Sequence, residues 1–431
     1  MTRSLRPGDP GYDAARMVWN AMVDRKPALI IRCATAAHVI EAIRHGRDAG
    51  LEIGVRCGGH SVLGLPVTDG GLLIDLAPMG AARVDPETRR ARVGGGALLG
   101  ALDVAAQRYG LTTTAGNVSH TGVGGLTLGG GVGWLARAYG LTCDNVISYE
   151  VVTATGELVR ADRTEHPELF WGLCGGGGNF GVVTEFEFRL HPVGTRALEV
   201  EFVHELDDAA EALRGWRDLL AEAPRLATPV ARVTERDNRP VATIGFVWVG
   251  DPAEGRKLLS AYRSIGRPVA EHVRELSYLA LQTAGDDAEG HAFRRYWKGH
   301  YLRRLTDEAI EAFLDRGDGT YPAARLTLNG GAIGDVPDED TAYSHRDAQI
   351  EFNTSAGWTD PADDHARMTA ARKYAAGVEP FASGAYVNAL SDEGASGVHR
   401  AYTPAKLARL RELKRTYDPD NVFHLNENIR P

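Results

Sequence analysis

Three glycine-rich stretches carry the first sign of chemistry: "RCGGHS" at residues 56–61, "GNVSHTGVGGLTLGGGVGW" at 116–134 and "GLCGGGGNFGVV" at 172–183. The first ends a strand-like run, "LEIGVR", and sets one imidazole, His60, in an otherwise bare loop. Successive glycines let backbone N–H groups converge on an anion with no side chain in the way. One such loop suggests a phosphate; three within about 130 residues suggest a large dinucleotide. The third loop contains a formal GxGxxG at Gly176, Gly178 and Gly181, but helix-like "HPELFWGL" precedes it and strand-like "VVTEFEFRL" follows. A nicotinamide-binding fold needs the reverse order, so a Rossmann reading is rejected.

Around these loops, strands and helices alternate over about the first 195 residues. "ALIIRCAT" reads as a strand, and Thr35 as the N-cap of a helix over "AAHVIEAIRHGRDAG" that Gly46 and Gly50 stop. "GGLLIDL" is a further strand. "ARVDPETRRARVGGG" is a hairpin, "GALLGALDVAAQRYGL" a helix ended by Gly110, and "VISYEVVTATGELVRA" a hairpin turning at Thr155 and Gly156. Beyond Pro192 glycine thins out. Amphipathic helices such as "DDAAEALRGWRDLLAEA" and "DPAEGRKLLSAYRSIG" alternate there with strand-like "ATIGFVWVG", "AARLTLNGGAIG" and "DAQIEFNTSAGW", which predicts an antiparallel sheet with helices on one face. The end reads as a helix and a Pro- and Asn-rich tail.

Composition narrows the partners. The 431 residues suit two or three domains with sizeable cores, at 43% hydrophobic and 24% charged residues. Forty-eight basic and 57 acidic side chains give a net charge of −9 with no basic run, which argues against nucleic acid or an anionic membrane. Cys33, Cys57, Cys143 and Cys174 form no CxxC pair and no metal-ligand spacing, so neither a disulfide framework nor a metal is expected. The polar start and the lack of a long apolar run make cytoplasmic residence the default.

The quoted loops, together with "CDN" at 143–145, "HPVG" at 191–194 and the ending "YDPDNVFHLNENIRP", resemble the berberine-bridge-enzyme-like flavin oxidoreductases of the vanillyl-alcohol-oxidase type, in order and along essentially the whole chain. The resemblance implies an α+β, two-domain flavoprotein. Its FAD domain comprises residues 1–194, a substrate domain with an antiparallel sheet covered by helices spans 195–404, and a tail, 405–431, returns to the FAD domain. It implies that Arg56, Cys57, Gly58, Gly59 and Ser61 hold FAD while His60 bonds covalently to the flavin 8α-methyl carbon. From the second loop it assigns Gly116, His120, Thr121, Gly122, Gly124, Gly125, Leu126, Gly129, Val132 and Gly133 to the cofactor, and adds Val183, Asn388 and Asn426. Many members attach the flavin a second time through a cysteine; that position here is Val118, so attachment through His60 alone is expected. Cys57 stands where glycine is usual and Cys174 where the family often has arginine, while Cys143 reads as a small buried residue.

Flavin oxidation of an alcohol needs a hydride acceptor and a base for the hydroxyl proton. At the catalytic position where plant members carry a glutamate base stands Asn353, which cannot take a proton. The base implied instead is Tyr386 in "GAYVNALSDEG", with Asn388 reaching the flavin edge; an unperturbed tyrosine pKa of ~10 requires lowering or a concerted step. Glu351, on the same strand face as Asn353, is the weaker acidic candidate. Thr327 and Asn329 alternate on the neighbouring strand as substrate contacts, and Thr121 lies where relatives gate oxygen. The expected activity is oxidation of a sugar or natural-product alcohol, or a similar carbon, with O2 as electron acceptor and H2O2 as product. The alternatives are a flavin dehydrogenase or an oxidative cyclase or desaturase of secondary metabolism, and, because of Asn353, an inactive flavin-holding protein.

Overall fold

The computed structural model describes residues 3–236, 239–316 and 322–431. Its N-terminal portion holds two larger sheets and a two-stranded pair, Leu111–Thr112 with His191–Pro192. In the first, β1 (Arg3–Leu5), β2 (Leu29–Arg32), β3 (Ile53–Arg56) and β4 (Leu72–Asp75) take the order β1-β2-β4-β3, with β2 and β3 both parallel to β4. Helix α1 (Ala36–Asp48) starts at Thr35, whose hydroxyl accepts from His38 N, and buries Val39 and Ile43 on the sheet. Gly46 does not stop this helix. It lies inside α1, where a Cβ would stand 2.7 Å from Ile53 Cδ1, so the glycine sets how closely helix and strand approach.

The second sheet is antiparallel. Strands β5 (Ala82–Asp85) and β6 (Arg90–Gly94) form the expected hairpin, helix α2 (Leu99–Gln107) follows, and β7 (Val146–Val152), β8 (Leu158–Ala161) and β9 (Val182–Arg189) complete the order β5-β6-β9-β7-β8. The glycine loops leave these sheets where strands stop: after β3, between α2 and β7, and just before β9.

Residues from 196 onward build one seven-stranded antiparallel sheet: β10 (Arg196–Glu205), β11 (Ala227–Arg236), β12 (Arg239–Val249), β13 (Ala270–Ser277), β14 (Arg294–Leu302), β15 (Ala323–Leu328) and β16 (Ile350–Trp358), in the order β13-β10-β12-β11-β15-β16-β14. Period-two alternation divides β16 cleanly. Ile350 and Phe352 enter a core with Trp216, Phe313 and Tyr374, while Glu351, Asn353 and Ser355 point the other way. Those three aromatics belong to α3 (Ala209–Leu219), α4 (Asp307–Leu314) and α5 (Asp364–Val378), which cover the apolar face. "DPAEGRKLLSAYRSIG" is two short helices, Pro252–Arg256 and Leu259–Arg263, rather than one. No helix among the described residues is long and apolar enough to cross a membrane.

The final helix, α6 (Pro404–Tyr417), and the tail after it pack back on the N-terminal portion. Phe423 joins the core of Ile31 and Ile74. Lys414, with no exposed side-chain surface, donates to the Asn179 carbonyl at 2.8 Å, Asp418 Oδ2 at 2.6 Å and the Phe423 carbonyl at 2.9 Å. Asp418 in turn accepts the N–H groups of Val422 and Phe423. One buried ammonium therefore ties the third glycine loop, α6 and the tail together. Lys414→Met strands a buried carboxylate, and we expect a loss of ~3–5 kcal/mol in thermal or denaturant unfolding. A loss under ~1 kcal/mol would show that water reaches Asp418.

Candidate functional site

The loops converge because they lack side chains. A Cβ on Gly58 would stand 2.4 Å from Gly122 N, and one on Gly122 would stand 2.4 Å from Gly58 N, so the first and second loops meet backbone to backbone. Beside that seam lies a cavity of about 600 Å³. It runs from Ile53, Val55, Leu76, Phe423 and Leu425, at the parallel sheet, to Thr327, Glu351 and Asn353 on the polar face of the seven-stranded sheet.

Most of the residues singled out in the sequence line this one space. Cys57 to Ser61 come from the first loop. Gly116, Thr121, Gly122, Gly124, Gly125, Leu126, Val132 and Gly133 come from the second, and Val183, Tyr386, Asn388 and Asn426 close the sides. Four residues stand elsewhere. Arg56 turns back from the end of β3 to the Ala15 carbonyl at 2.8 Å and Asp75 Oδ1 at 3.4 Å. His120 lies behind His60. Gly129 sits under Asn388, whose amide oxygen would be 2.2 Å from an added Cβ. Asn329 falls past the end of β15: its carbonyl accepts from Arg137 Nε at 3.1 Å as the chain turns at Gly330 and Gly331, so strand alternation does not carry it into the cavity. Cys174 also lies away from the cavity, buried with its Sγ 3.4 Å from the Tyr149 hydroxyl, and Cys143 is buried beside it.

His60 is held on every side. Its ring stacks on Trp19 with centroids 4.7 Å apart, and the Arg295 guanidinium lies 4.3 Å from the far ring of that stack. Its Nε2 is 2.7 Å from His120 Nδ1, while Nδ1 has, among the described residues, only Thr121 Oγ1, at 3.5 Å. Burial, reinforced by His120, His291 and Arg295, pushes its pKa down to about 2, so the imidazole is neutral at physiological pH. With the proton on Nε2 and donated to His120 Nδ1, the neutral ring would present Nδ1 as its nucleophile. Val118 puts an isopropyl group on the cavity wall, with no thiol there.

Tyr386 lines the same cavity. Its hydroxyl oxygen accepts from Gly131 N–H at 3.0 Å and Asn388 Nδ2 at 2.9 Å. Burial pushes the phenol above its ordinary range against the pull of those two donors, and the Glu351 charge adds to the rise. Glu351 is pushed up by burial, with Arg325 opposing.

FAD fits this space. Asn117 Oδ1, Asn426 Oδ1, Thr327 Oγ1 and Trp134 Nε1 are buried at the cavity wall without a partner among the described residues, as polar atoms awaiting a polar ligand are. At Gly125 and Gly178 an added Cβ would meet nothing within 4 Å, so bare backbone faces open space. The apolar end at Ile53 and Phe423 suits a flat base, and the loop amides suit a pyrophosphate.

Sequence reasoning missed Trp19, Arg325 and Glu427. Arg325 was within reach, since it precedes Thr327 by two residues and shares its face. Glu427, whose carboxyl burial pushes up to about 7, adjoins the assigned Asn426. Trp19 sits in an N-terminal segment without periodicity and gave no signal.

Comparison with known proteins agrees with this geometry. Residues 27–162 match the FAD binding domain family, and residues 385–430 match the "Berberine and berberine like" family. The (R)-6-hydroxynicotine oxidase of Paenarthrobacter nicotinovorans is 32% identical over 445 residues, covering 99% of this chain and 96% of the relative. The solved 6-hydroxy-D-nicotine oxidase of Arthrobacter nicotinovorans superposes with a TM-score of 0.90 at 31% identity, covering 100% of this chain and 98% of that one. A glucooligosaccharide oxidase of Acremonium strictum shares the fold at TM-score 0.88 and 24% identity, over 100% of this chain and 96% of that one. The fold and site define a vanillyl-alcohol-oxidase-type flavoprotein. Within that class, the chain belongs to the berberine-bridge-enzyme-like FAD-linked oxidoreductases.

Two substitutions separate the roles of the glycines. Gly58→Ala forces two backbones apart and should cost ~1–3 kcal/mol in thermal unfolding of the flavin-free protein. Gly125→Ala should leave that stability within ~0.5 kcal/mol but lower FAD content per chain, read from absorbance, because its methyl enters the cavity.

Proposed function

We propose that this protein is a flavin-dependent oxidase acting on an alcohol carbon, or a similar carbon, of a sugar or natural-product substrate. Its FAD, attached covalently through His60 and through no second residue, supplies the hydride acceptor at N5 and returns the electrons to dioxygen as hydrogen peroxide. The observation that carries the reading is the Tyr386 hydroxyl, which faces the cavity while accepting the Gly131 and Asn388 N–H groups. Both donors favour the phenolate, against the burial that disfavours it. Tyr386 therefore takes the substrate's proton as the hydride departs, when developing charge makes those donors count most. Asn353, without proton affinity, and Thr327, with its hydroxyl unpartnered, hold the donor hydroxyl on the floor of the cavity. His60 is neutral, and its tautomer with the proton on Nε2 leaves the Nδ1 lone pair to act as the nucleophile. Likeness to a hydroxynicotine oxidase over the whole chain supports an oxidase output above a dehydrogenase or a cyclase.

Tyr386→Phe should retain its flavin but lose ~10²–10⁴-fold in the rate of anaerobic flavin reduction by substrate. An unchanged rate removes Tyr386 from the role. In the wild type that rate should rise with pH through the neutral and alkaline range, because the phenol is held above its ordinary value and only the deprotonated form accepts the proton. A flat profile from pH ~6 to ~10 would contradict the assignment.

A further inference from the structure

The floor of the cavity carries a charge that no described residue answers. Arg325 rises from β15 directly across from Asn353 on β16 and Arg232 on β11. The neighbouring cations are taken: Arg232 pairs with Glu201, and Arg295 with Glu289. Arg325 makes no hydrogen bond and no ion pair among the described residues, although it lines the cavity and is desolvated enough to lower its pKa, with Glu351 and Glu289 acting on it only through the field. A guanidinium presents five N–H donors in a rigid planar fork, and at this half-buried, cavity-lining position none of them meets a described residue. A carboxylate meets such a fork with two parallel hydrogen bonds, as a phosphate does, and the glycine-loop amides already suit the phosphates of the cofactor.

We propose that the substrate of this enzyme bears a carboxylate, seated on Arg325, in addition to the carbon that is oxidised. The inference rests on the reading of this cavity as the substrate site of a flavin oxidase and narrows its substrates to acid-bearing alcohols, such as hydroxy acids and sugar acids. Glu351 lies one step along the same sheet face, without an ion-pair partner among the described residues. Two carboxylates beside one arginine cannot both stay charged at low cost, and burial already favours the protonated form of Glu351. Glu351 therefore takes up a proton as the ligand binds. The other ionisable groups facing that spot are Arg232, Glu289 and Tyr386, the first two already in ion pairs and the last neutral.

The test uses the flavin-loaded protein and two flat probes of equal size, benzoate and benzamide, titrated while the flavin absorbance is followed. Benzoate should bind the wild type at least about tenfold more tightly than benzamide. Arg325→Gln should bring the two within about twofold while leaving benzamide unchanged, and Arg325→Lys, which keeps the charge but loses the fork, should fall between. Equal affinity in the wild type, no perturbation by benzoate, or a preference that survives in Arg325→Gln would each overturn the inference. Flavin content per chain reports whether either variant is folded. Tyr386 is judged by the rate of flavin reduction, so the proposed reaction and the proposed substrate class fail separately.

Discussion

At Gly58 and Gly122 two loop backbones lie so close that a Cβ on either would stand 2.4 Å from the amide nitrogen of the other. That approach holds the end of β3 against the second glycine loop and fixes His60 between them. The second loop is also tied to the C-terminal portion, where Ser119 N–H donates to Asp286 Oδ1 at 2.9 Å. The third loop is fastened separately, by the Lys414 ammonium and the tail it organises. The cavity beside them thus has walls from distant parts of the sequence, touches all three loops, and is bounded on one side by the polar face of the seven-stranded sheet.

The electrostatics of that cavity follow from burial. His60 is driven to its neutral form and the Tyr386 phenol away from its anion, each by loss of water, while specific donors are arranged to work against burial only at Tyr386. On the sheet floor, Arg325 and Glu351 line the same cavity, neither makes a hydrogen bond or ion pair among the described residues, and burial pushes the Glu351 carboxyl above its ordinary range. These residues sit on strands whose alternate side chains pack under α3, α4 and α5, which anchors them in a rigid sheet.

Much of this was legible in the sequence because its signals were local. Thr35 capping α1, the turn at Gly156 and the period-two pattern of "IEFNTSAGW" needed only neighbouring residues to be read. Tyr386, Asn353 and Glu351 reached the page through family likeness and strand period, and the fold brings all three to one cavity. What failed depended on where an element stops or on long-range packing. Asn329 was carried one residue beyond the end of its strand, and Gly46 was read as a stop although its role is contact with Ile53. Trp19 meets His60 across 41 residues, and His120 meets it across 60; no local pattern encodes either contact.

The central claim is that the cavity holds FAD bonded to His60 and to no other residue. The most direct test is acid precipitation of the purified protein, followed by mass mapping of the flavin-bearing peptide. With attachment through His60 alone, the yellow colour stays with the pellet and the added mass lies on the peptide containing His60 alone. Flavin wholly in the supernatant, or mass on any other peptide, would contradict it.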